Sequence, residues 1–372
     1  MSDRRRLIVR VLAVAVVAFL LWVPQYFEAF WLQTGLFAMS AAIGAIGLQL
    51  LVGVTGQLSL AHAFFLAVGA YGYCFLAGGE QSAALETPTG LGLPTWLAMI
   101  GAVVFAGLLG ALLSPIAGRL HGIYLGLASI GLVFIGQHVL FNAKGVTGGF
   151  NGRDAEPFSL FGFSFSNSNP DNLVILGVPY GGLERLWYLG LLLVGFSWWY
   201  ARNVTHARPG RALLTIRDSP IAASVMGVNV PVYRAAAFTV SAMYAGLAGV
   251  LLALAFGRIV PDSFGFLLSI DFLVMIVVGG LGSIGGAVAG ALLVSALPQI
   301  FDHYSGSLPL LGDPGGGGLQ PAEAARFLYG AAVVAVLIFA PGGLSGLGRR
   351  LAGRRRAASP LLRTDSSKES TA

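Results

Sequence analysis

Four stretches of this chain carry residue types able to bind, pass or respond to a polar solute. Gly53-Val54-Thr55-Gly56-Gln57-Leu58-Ser59-Leu60-Ala61-His62 interrupts an otherwise apolar pattern. Polar side chains and broken backbone at membrane depth are tolerated where they line a cavity or pack inside protein. Gly53, Thr55, Gly56, Gln57, Ser59 and His62 are therefore candidates to line a route; the plain alternative is a turn joining two helices. Asp271 is a carboxylate in an apolar run, a functional hypothesis by default, with capping or hydration at a helix edge as its plain alternative. Thr147-Gly148-Gly149-Phe150-Asn151-Gly152 combines Thr147 and Asn151 with Gly148, Gly149 and Gly152, which permit φ > 0 turns. The fourth stretch is a polar basic loop, Arg202 to Val230, reading RNVTHARPGRALLTIRDSPIAASVMGVNV. Its residues Arg211 to Met226 have the periodicity of a short helix, with Leu214, Ile221 and Val225 on one side and Arg211, Arg217 and Asp218 elsewhere. Small Ala222, Ala223 and Gly227 allow a partner surface to approach closely; the alternative is a solvated loop.

Covalent chemistry finds little support. The lysines are Lys144 and Lys368, and neither follows a glycine, so no phosphate-binding G-K-[ST] exists. No G-x-S-x-G nucleophile elbow is present. His62, His121, His138, His206 and His303 are scattered, without metal-ligand spacing. Gly280-x-Gly282-x-x-Gly285 matches the dinucleotide fingerprint in spacing only. It lies between apolar runs, where close backbone packing or a helix break involving Gly279, Gly280, Gly282 and Gly285 is the better reading. Cys74 is a lone cysteine in an apolar run, read as a small buried hydrophobe. No metal and no cofactor is implied.

The elements that must position these residues are membrane helices. The chain is 56% hydrophobic and 10% charged, with a mean hydropathy of +0.79. A soluble domain carries about 25% charged residues. A hydrocarbon core about 30 Å thick takes roughly 20 apolar residues per helix. The apolar runs predict about ten spans, at 7–23, 30–53, 63–79, 94–115, 122–141, 186–201, 232–256, 267–281, 284–301 and 324–340. The fold class is thus an all-α polytopic membrane protein. The eighth and ninth spans form one stretch broken at residues 279–286, either a tight turn between two helices or a kink in one. On a ten-span topology, 17 of the 22 Lys and Arg fall on one side, and Lys144, Arg153, Arg185, Arg258 and Arg326 on the other. Cytoplasmic loops carry the Lys/Arg excess, so both termini are expected inside. An odd count would put the Arg349–Arg356 cluster or Arg4–Arg6 outside. The net charge of +6 is explained by these membrane edges, without nucleic acid. Arg4-Arg5-Arg6 before Leu7–Val23 is read as the basic end of an uncleaved first helix. Residues 1–348 are expected to form the membrane domain, with an extracytoplasmic loop at 142–185, and 349–372 a basic disordered tail.

Arg208-Pro209-Gly210-Arg211-Ala212-Leu213-Leu214-Thr215-Ile216-Arg217-Asp218-Ser219-Pro220-Ile221-Ala222-Ala223-Ser224-Val225-Met226-Gly227 resembles the coupling loop of branched-chain amino-acid ABC importer permeases, the M-type subunit in particular. GLQLLVGVTGQLSLAHAFFLAVGAY (Gly47–Tyr71), TGGFNG (Thr147–Gly152) and VVGGLGSIGGAVAGALL (Val277–Leu293) extend the resemblance over nearly the whole chain. The ending Phe339-Ala340-Pro341-Gly342-Gly343-Leu344 is similar to the family's R-P-x-G-L, with Ala340 where that pattern has Arg. The resemblance implies a non-enzymatic permease in the bacterial cytoplasmic membrane, working by alternating access. It also implies a second, homologous permease chain, two separate cytoplasmic ATPase subunits and an extracytoplasmic binding protein. Gly210, Arg211, Arg217, Asp218, Ala222, Ala223 and Gly227 would face the ATPase. Urea or short-chain amides, carried by related permeases, are the alternative cargo. A secondary transporter or membrane enzyme would normally show more intramembrane ionisable groups than Asp271.

Overall fold

Long apolar runs with little preference for one side form helices that are buried all round or lie against lipid, and such runs dominate this chain. The computed structural model describes residues 3–79, 89–120, 122–166, 173–175 and 178–304, with isolated positions between 327 and 346. Its helices are α1 (Asp3–Trp22), α2 (Ala29–Leu48), α3 (His62–Ala77), α4 (Thr95–Arg119), α5 (Ile123–Asn142), the single turn α6 (Lys144–Thr147), α7 (Gly182–His206), α8 (Arg208–Asp218), α9 (Pro220–Val225), α10 (Val230–Phe256), α11 (Phe266–Gly279) and α12 (Ile284–Tyr304). Five helical stretches among the described residues are long and apolar enough to cross a bilayer: Ala29–Val54, Thr95–Arg119, Ile123–Asn142, Val230–Phe256 and Ile284–Phe301. Val14–Gln25, His62–Ala77 and Phe266–Gly279 are shorter apolar helices. Nine of the ten expected spans thus coincide with helices; 324–340 lies mostly outside the described residues, as do most of 302–323 and all of 349–372.

α10 is the axis of the bundle, packed on α2, α3 and α4. Its first turn is capped by the Asn229 carboxamide, which accepts the Val232 N–H at 3.4 Å, and it ends on Gly257 at φ +72°. Small residues let α10 and α3 touch backbone to backbone, the usual device where lipid supplies no hydrophobic drive between helices. A Cβ added at Gly249 would lie 2.0 Å from the Leu66 carbonyl oxygen, and one at Gly69 2.1 Å from that of Gly246.

The glycine-rich break at 279–286 is a tight turn between two helices, which decides between the two readings left open above. α11 and α12 run antiparallel in close contact: an added Cβ at Gly279 would meet the Gly286 oxygen at 2.1 Å, and one at Gly290 the Met275 oxygen at 2.0 Å. Gly280 (φ +105°) and Gly282 (φ +85°) supply the left-handed turn residues.

The all-α expectation needs one correction. Segment 142–185 forms short ribbons: β2 (Ser159–Leu160) with β3 (Phe163–Ser164), and β4 (Leu173–Ile175) with β5 (Val178–Tyr180). β1 (Arg153–Asp154) pairs antiparallel with β6 (Arg258–Ile259), tying this segment to the end of α10. Strands of two or three residues leave no alternation for hydropathy to reveal.

Candidate functional site

α2 does not stop where its α-helical hydrogen bonding stops. It continues as a π-helical segment, Gln49–Val54, and after Thr55 as irregular chain to Ala61. Single π turns inside α-helices occur frequently at functional sites. The end of any helix leaves carbonyls without intrahelical donors, and here three of them have a partner. Thr55 Oγ1 and the Gln57 N–H both donate to the Leu51 carbonyl, the latter at 3.3 Å, and the Gly56 N–H donates to Val52 at 3.2 Å. The Gly53 carbonyl instead receives Arg217 Nη1, from α8. Gly56 (φ +73°) closes the turn, and a Cβ there would meet the Arg217 stem at 3.2 Å.

A second bridge runs from the same π segment. Gln49 is fully enclosed, and its carboxamide faces the α11–α12 turn. Oriented as its surroundings require, its oxygen accepts the backbone N–H groups of Gly282 and of Ser283, the latter at 2.7 Å. Gly53 has no side chain because the Gln49 amide fills that space: an added Cβ would sit 2.7 Å from its carbon. Arg217 also approaches this turn, with Nη1 3.8 Å from the Cβ position of Gly282. The Cβ position of Gly285 abuts Trp198 of α7 at 3.2 Å. Break, basic-loop residue and glycine turn, read separately in the sequence, therefore meet at one end of the bundle.

The irregular stretch and the first turn of α3 are held by serines from other helices. Ser129 of α5 accepts the Leu60 N–H at 2.8 Å, and Ser269 of α11 accepts the Ala63 N–H at 3.0 Å. Ser59 accepts the Ala61 N–H at 3.4 Å, and Gln57 Nε2 donates to Thr55 Oγ1 (3.1 Å) and to the Arg234 carbonyl (3.4 Å). Gln57 and Ser59 thus hold backbone together in this conformation. Within this segment, Gln57 Oε1 and His62 Nε2 are enclosed with no hydrogen-bond partner among the described residues. The His62 ring packs edge-on against Phe272, with centroids 4.8 Å apart.

Asp271 lies apart from this group. It sits in the second turn of α11, whose N-cap position is Gly265, so it does not cap the helix. It borders a groove of about 670 Å³ with Ser40, Ser295, Gln299 and the apolar Phe37 and Met275. Ser40 donates to the Ala248 carbonyl at 2.7 Å, and Thr34 to Gln299 Oε1 at 3.2 Å.

The helix expected over Arg211–Met226 is two helices. Pro220 cannot supply an N–H to α8; Ser219 instead caps α9, its hydroxyl accepting from Ala222 at 3.2 Å. Leu213 and Ile216 of α8 are buried, whereas Ile221, Val225 and Met226 are 78%, 83% and 74% exposed. Arg211 and Asp218 are exposed, Arg211 donating to the His206 carbonyl at 3.3 Å. Ala222 is exposed, but Ala223 is fully buried, which corrects its place on the outward face. Gly210 is also buried, its missing Cβ leaving room for the Thr205 oxygen 2.3 Å away. Gly227 is exposed with nothing near its Cβ position; φ +80° is what requires glycine there.

Thr147–Gly152 lies at the opposite end. The Thr147 hydroxyl donates to the Leu140 and Ala143 carbonyls (2.6 and 3.0 Å) and accepts the Gly149 N–H (3.1 Å). Gly148, Gly149 and Gly152 all have positive φ, at +75°, +57° and +72°. Arg258 donates twice to the Asn151 carbonyl. Arg153, unmarked in the sequence, anchors this end: it is 4% exposed and donates to the Thr89 and Val146 carbonyls at 2.7 and 2.6 Å. Burial lowers its pKa from the usual arginine value.

A protein family described as branched-chain amino acid transport system / permease component matches residues 31–337. The chain belongs to that family. It is 34% identical over 272 residues to the high-affinity branched-chain amino acid transport system permease protein LivM of Salmonella typhimurium, covering 70% of this chain and 61% of that one. Identity to LivM of Escherichia coli K12 is 32%, with the same coverage. The permease protein LivH of Salmonella typhimurium is 24% identical over 272 residues, covering 71% of this chain and 82% of LivH. The chain thus spans about three-fifths of the length of the LivM proteins it matches. No solved structure matches it. Membership of this permease family, with its apolar helices, makes it a multi-pass protein of the cytoplasmic membrane, and its relatives are transport permeases rather than catalysts.

Proposed function

We propose that the chain is the M-type membrane subunit of an ATP-driven importer of branched-chain amino acids. It crosses the membrane about ten times with both termini inside and works with a homologous second permease chain. Residues 202–230 form its cytoplasmic coupling element, and 142–185 receive an extracytoplasmic binding protein. Two separate ATPase subunits bind inside, and their closure on ATP tilts the bundle between inward- and outward-open states. The chain contributes the path and the coupling surface and makes no covalent bond.

The observation that carries this reading is the surface of α8 and α9. Ile221, Val225 and Met226 are outward and apolar on a loop otherwise rich in charge, at the end of the bundle where Arg217 meets the α2 break. Large apolar side chains clustered beside charge mark a protein-binding patch more than a solvated loop. The test is co-purification of the ATPases with the tagged permease pair. Wild-type protein should retain them, and Ile221→Asp should lose them while remaining inserted in the membrane. Retention of the ATPases and of uptake by Ile221→Asp would remove the coupling assignment.

A further inference from the structure

We infer that Arg217 is the positioning residue that transmits movement of the coupling element into the broken part of α2, with Gln49 passing it on to the α11–α12 turn. This rests on the proposed coupling role of α8 and α9. It separates two tasks within that loop: gripping the ATPase and moving the transmembrane helices.

The most exposed apolar residues suited to gripping, Ile221, Val225 and Met226, lie on α9 and its C-terminal turn, with the less exposed Leu214 on α8. Arg217, which the resemblance set among the ATPase-facing residues, lies a turn before Ile221, near the end of α8; the residue is exposed, but its guanidinium turns away from that face, toward the bundle and the Gly53 carbonyl. That carbonyl belongs to the π-helical end of α2, where the chain's own N–H groups are used on Leu51 and Val52. A cationic donor suits this position, because helix C-termini carry partial negative charge and charged donors form the stronger hydrogen bonds. The segment it holds is short of α-helical structure: six π-helical residues followed, after Thr55, by irregular chain to Ala61. Such a segment changes shape more readily than the α-helices on either side. Two glycines keep the connection close. Gly56 leaves room for the Arg217 stem, and Gly53 leaves room for the Gln49 amide, which binds the Gly282–Ser283 backbone. A displacement of α8 therefore acts on Gly53, then through Gln49 on the hairpin of α11 and α12. α11 is the helix that carries Asp271 and Phe272 beside the groove. α8 is itself seated by Leu213 and Ile216, so loss of one arginine leaves the helix in place.

The experiment uses the full complex reconstituted in vesicles: both permease chains, both ATPases and the binding protein. Arg217→Ala, Arg217→Lys and Ile221→Asp are compared by ATPase retention, ATP hydrolysis, leucine uptake, and labelling of a cysteine placed at Leu58 with and without nucleotide. Arg217→Ala should retain the ATPases and hydrolyse ATP within about twofold of wild type. Its uptake per ATP should fall about tenfold or more, and the nucleotide-dependent change in labelling at 58 should disappear. Arg217→Lys, a point charge in place of a planar fork, should recover part of both. Equal losses of uptake and hydrolysis with release of the ATPases would make Arg217 part of the gripping surface and overturn the inference. Wild-type uptake per ATP in Arg217→Ala would overturn it as well. Ile221→Asp reports separately on the coupling reading: if it keeps its ATPases and full uptake, that reading fails whatever Arg217 does.

Discussion

Gly249→Ala tests the frame that positions the site. The added methyl would stand 2.0 Å from the Leu66 carbonyl oxygen, 2.8 Å from the Leu66 carbonyl carbon and 3.1 Å from the Ala70 nitrogen. These are backbone atoms of α3, so no side chain can rotate away. Restoring ordinary contact separates α3 from α10 by about 1.4 Å or more along that line. The seam has no local slack, since Gly69 and Gly246 meet equally closely one turn away. Overpacking of this kind costs about 1–3 kcal/mol, against up to about 1 kcal/mol gained from alanine's helix propensity. Gly195→Ala on α7 and Gly131→Ala on α5 meet nothing within 4 Å and keep only the gain. Gly249→Ala should therefore be less stable than Gly195→Ala by about 2 kcal/mol, a factor of roughly 30 in the folded-to-unfolded ratio. Equilibrium unfolding of the purified protein in mixed micelles measures the difference. Equal stability of Gly249→Ala and Gly195→Ala would show that α3 and α10 are not in backbone contact.

Gln49→Leu keeps the volume but leaves the Gly282 and Ser283 N–H groups without their acceptor. The turn is open to water, so the cost should be about 1 kcal/mol, a fall of about 1 °C in melting temperature for a chain of this length; no change in unfolding free energy would remove the Gln49 bridge. Gly227→Asp places a charge beside exposed Val225 and Met226 at a φ that Asp tolerates better than most residues. The variant should fold and insert yet lose ATPase stimulation, and unchanged uptake would count against the coupling face. Gln57→Leu removes the donor to Thr55 and the Arg234 carbonyl in the segment proposed to move. Uptake should slow severalfold while binding-protein affinity and ATPase retention stay as they were; unaltered uptake would leave Gln57 with a purely structural part.

The apolar runs placed the helices well, because a bilayer-crossing helix must be long, apolar and continuous, and hydropathy along the chain reports all three. Residues 267–281 and 284–301 illustrate the edge of that signal. Both a kink and a turn need glycine, and only the contact of Gly279 with Gly286 separates them. The basic loop 202–230 was legible as amphipathic but not as two helices, although Ser219-Pro220 carried the cap and the break. Ala223 was placed outward because a small residue suits close approach to either neighbour, and it approaches its own bundle. The part played by Arg217 had no local signal at all: its partner Gly53 lies 164 residues away, and the partner atom is a backbone oxygen that any residue would present. Arg153 was hidden in the same way, its acceptors being the carbonyls of Thr89 and Val146.

The most direct measurement of the central claim is uptake of labelled leucine into vesicles holding the two permease chains and the two ATPases, with binding protein added outside and ATP inside. Uptake should require ATP, the ATPases and the binding protein together, and should persist when ion gradients are collapsed. Uptake that proceeds without ATP and follows an imposed proton or sodium gradient would contradict the account and make the chain a secondary transporter.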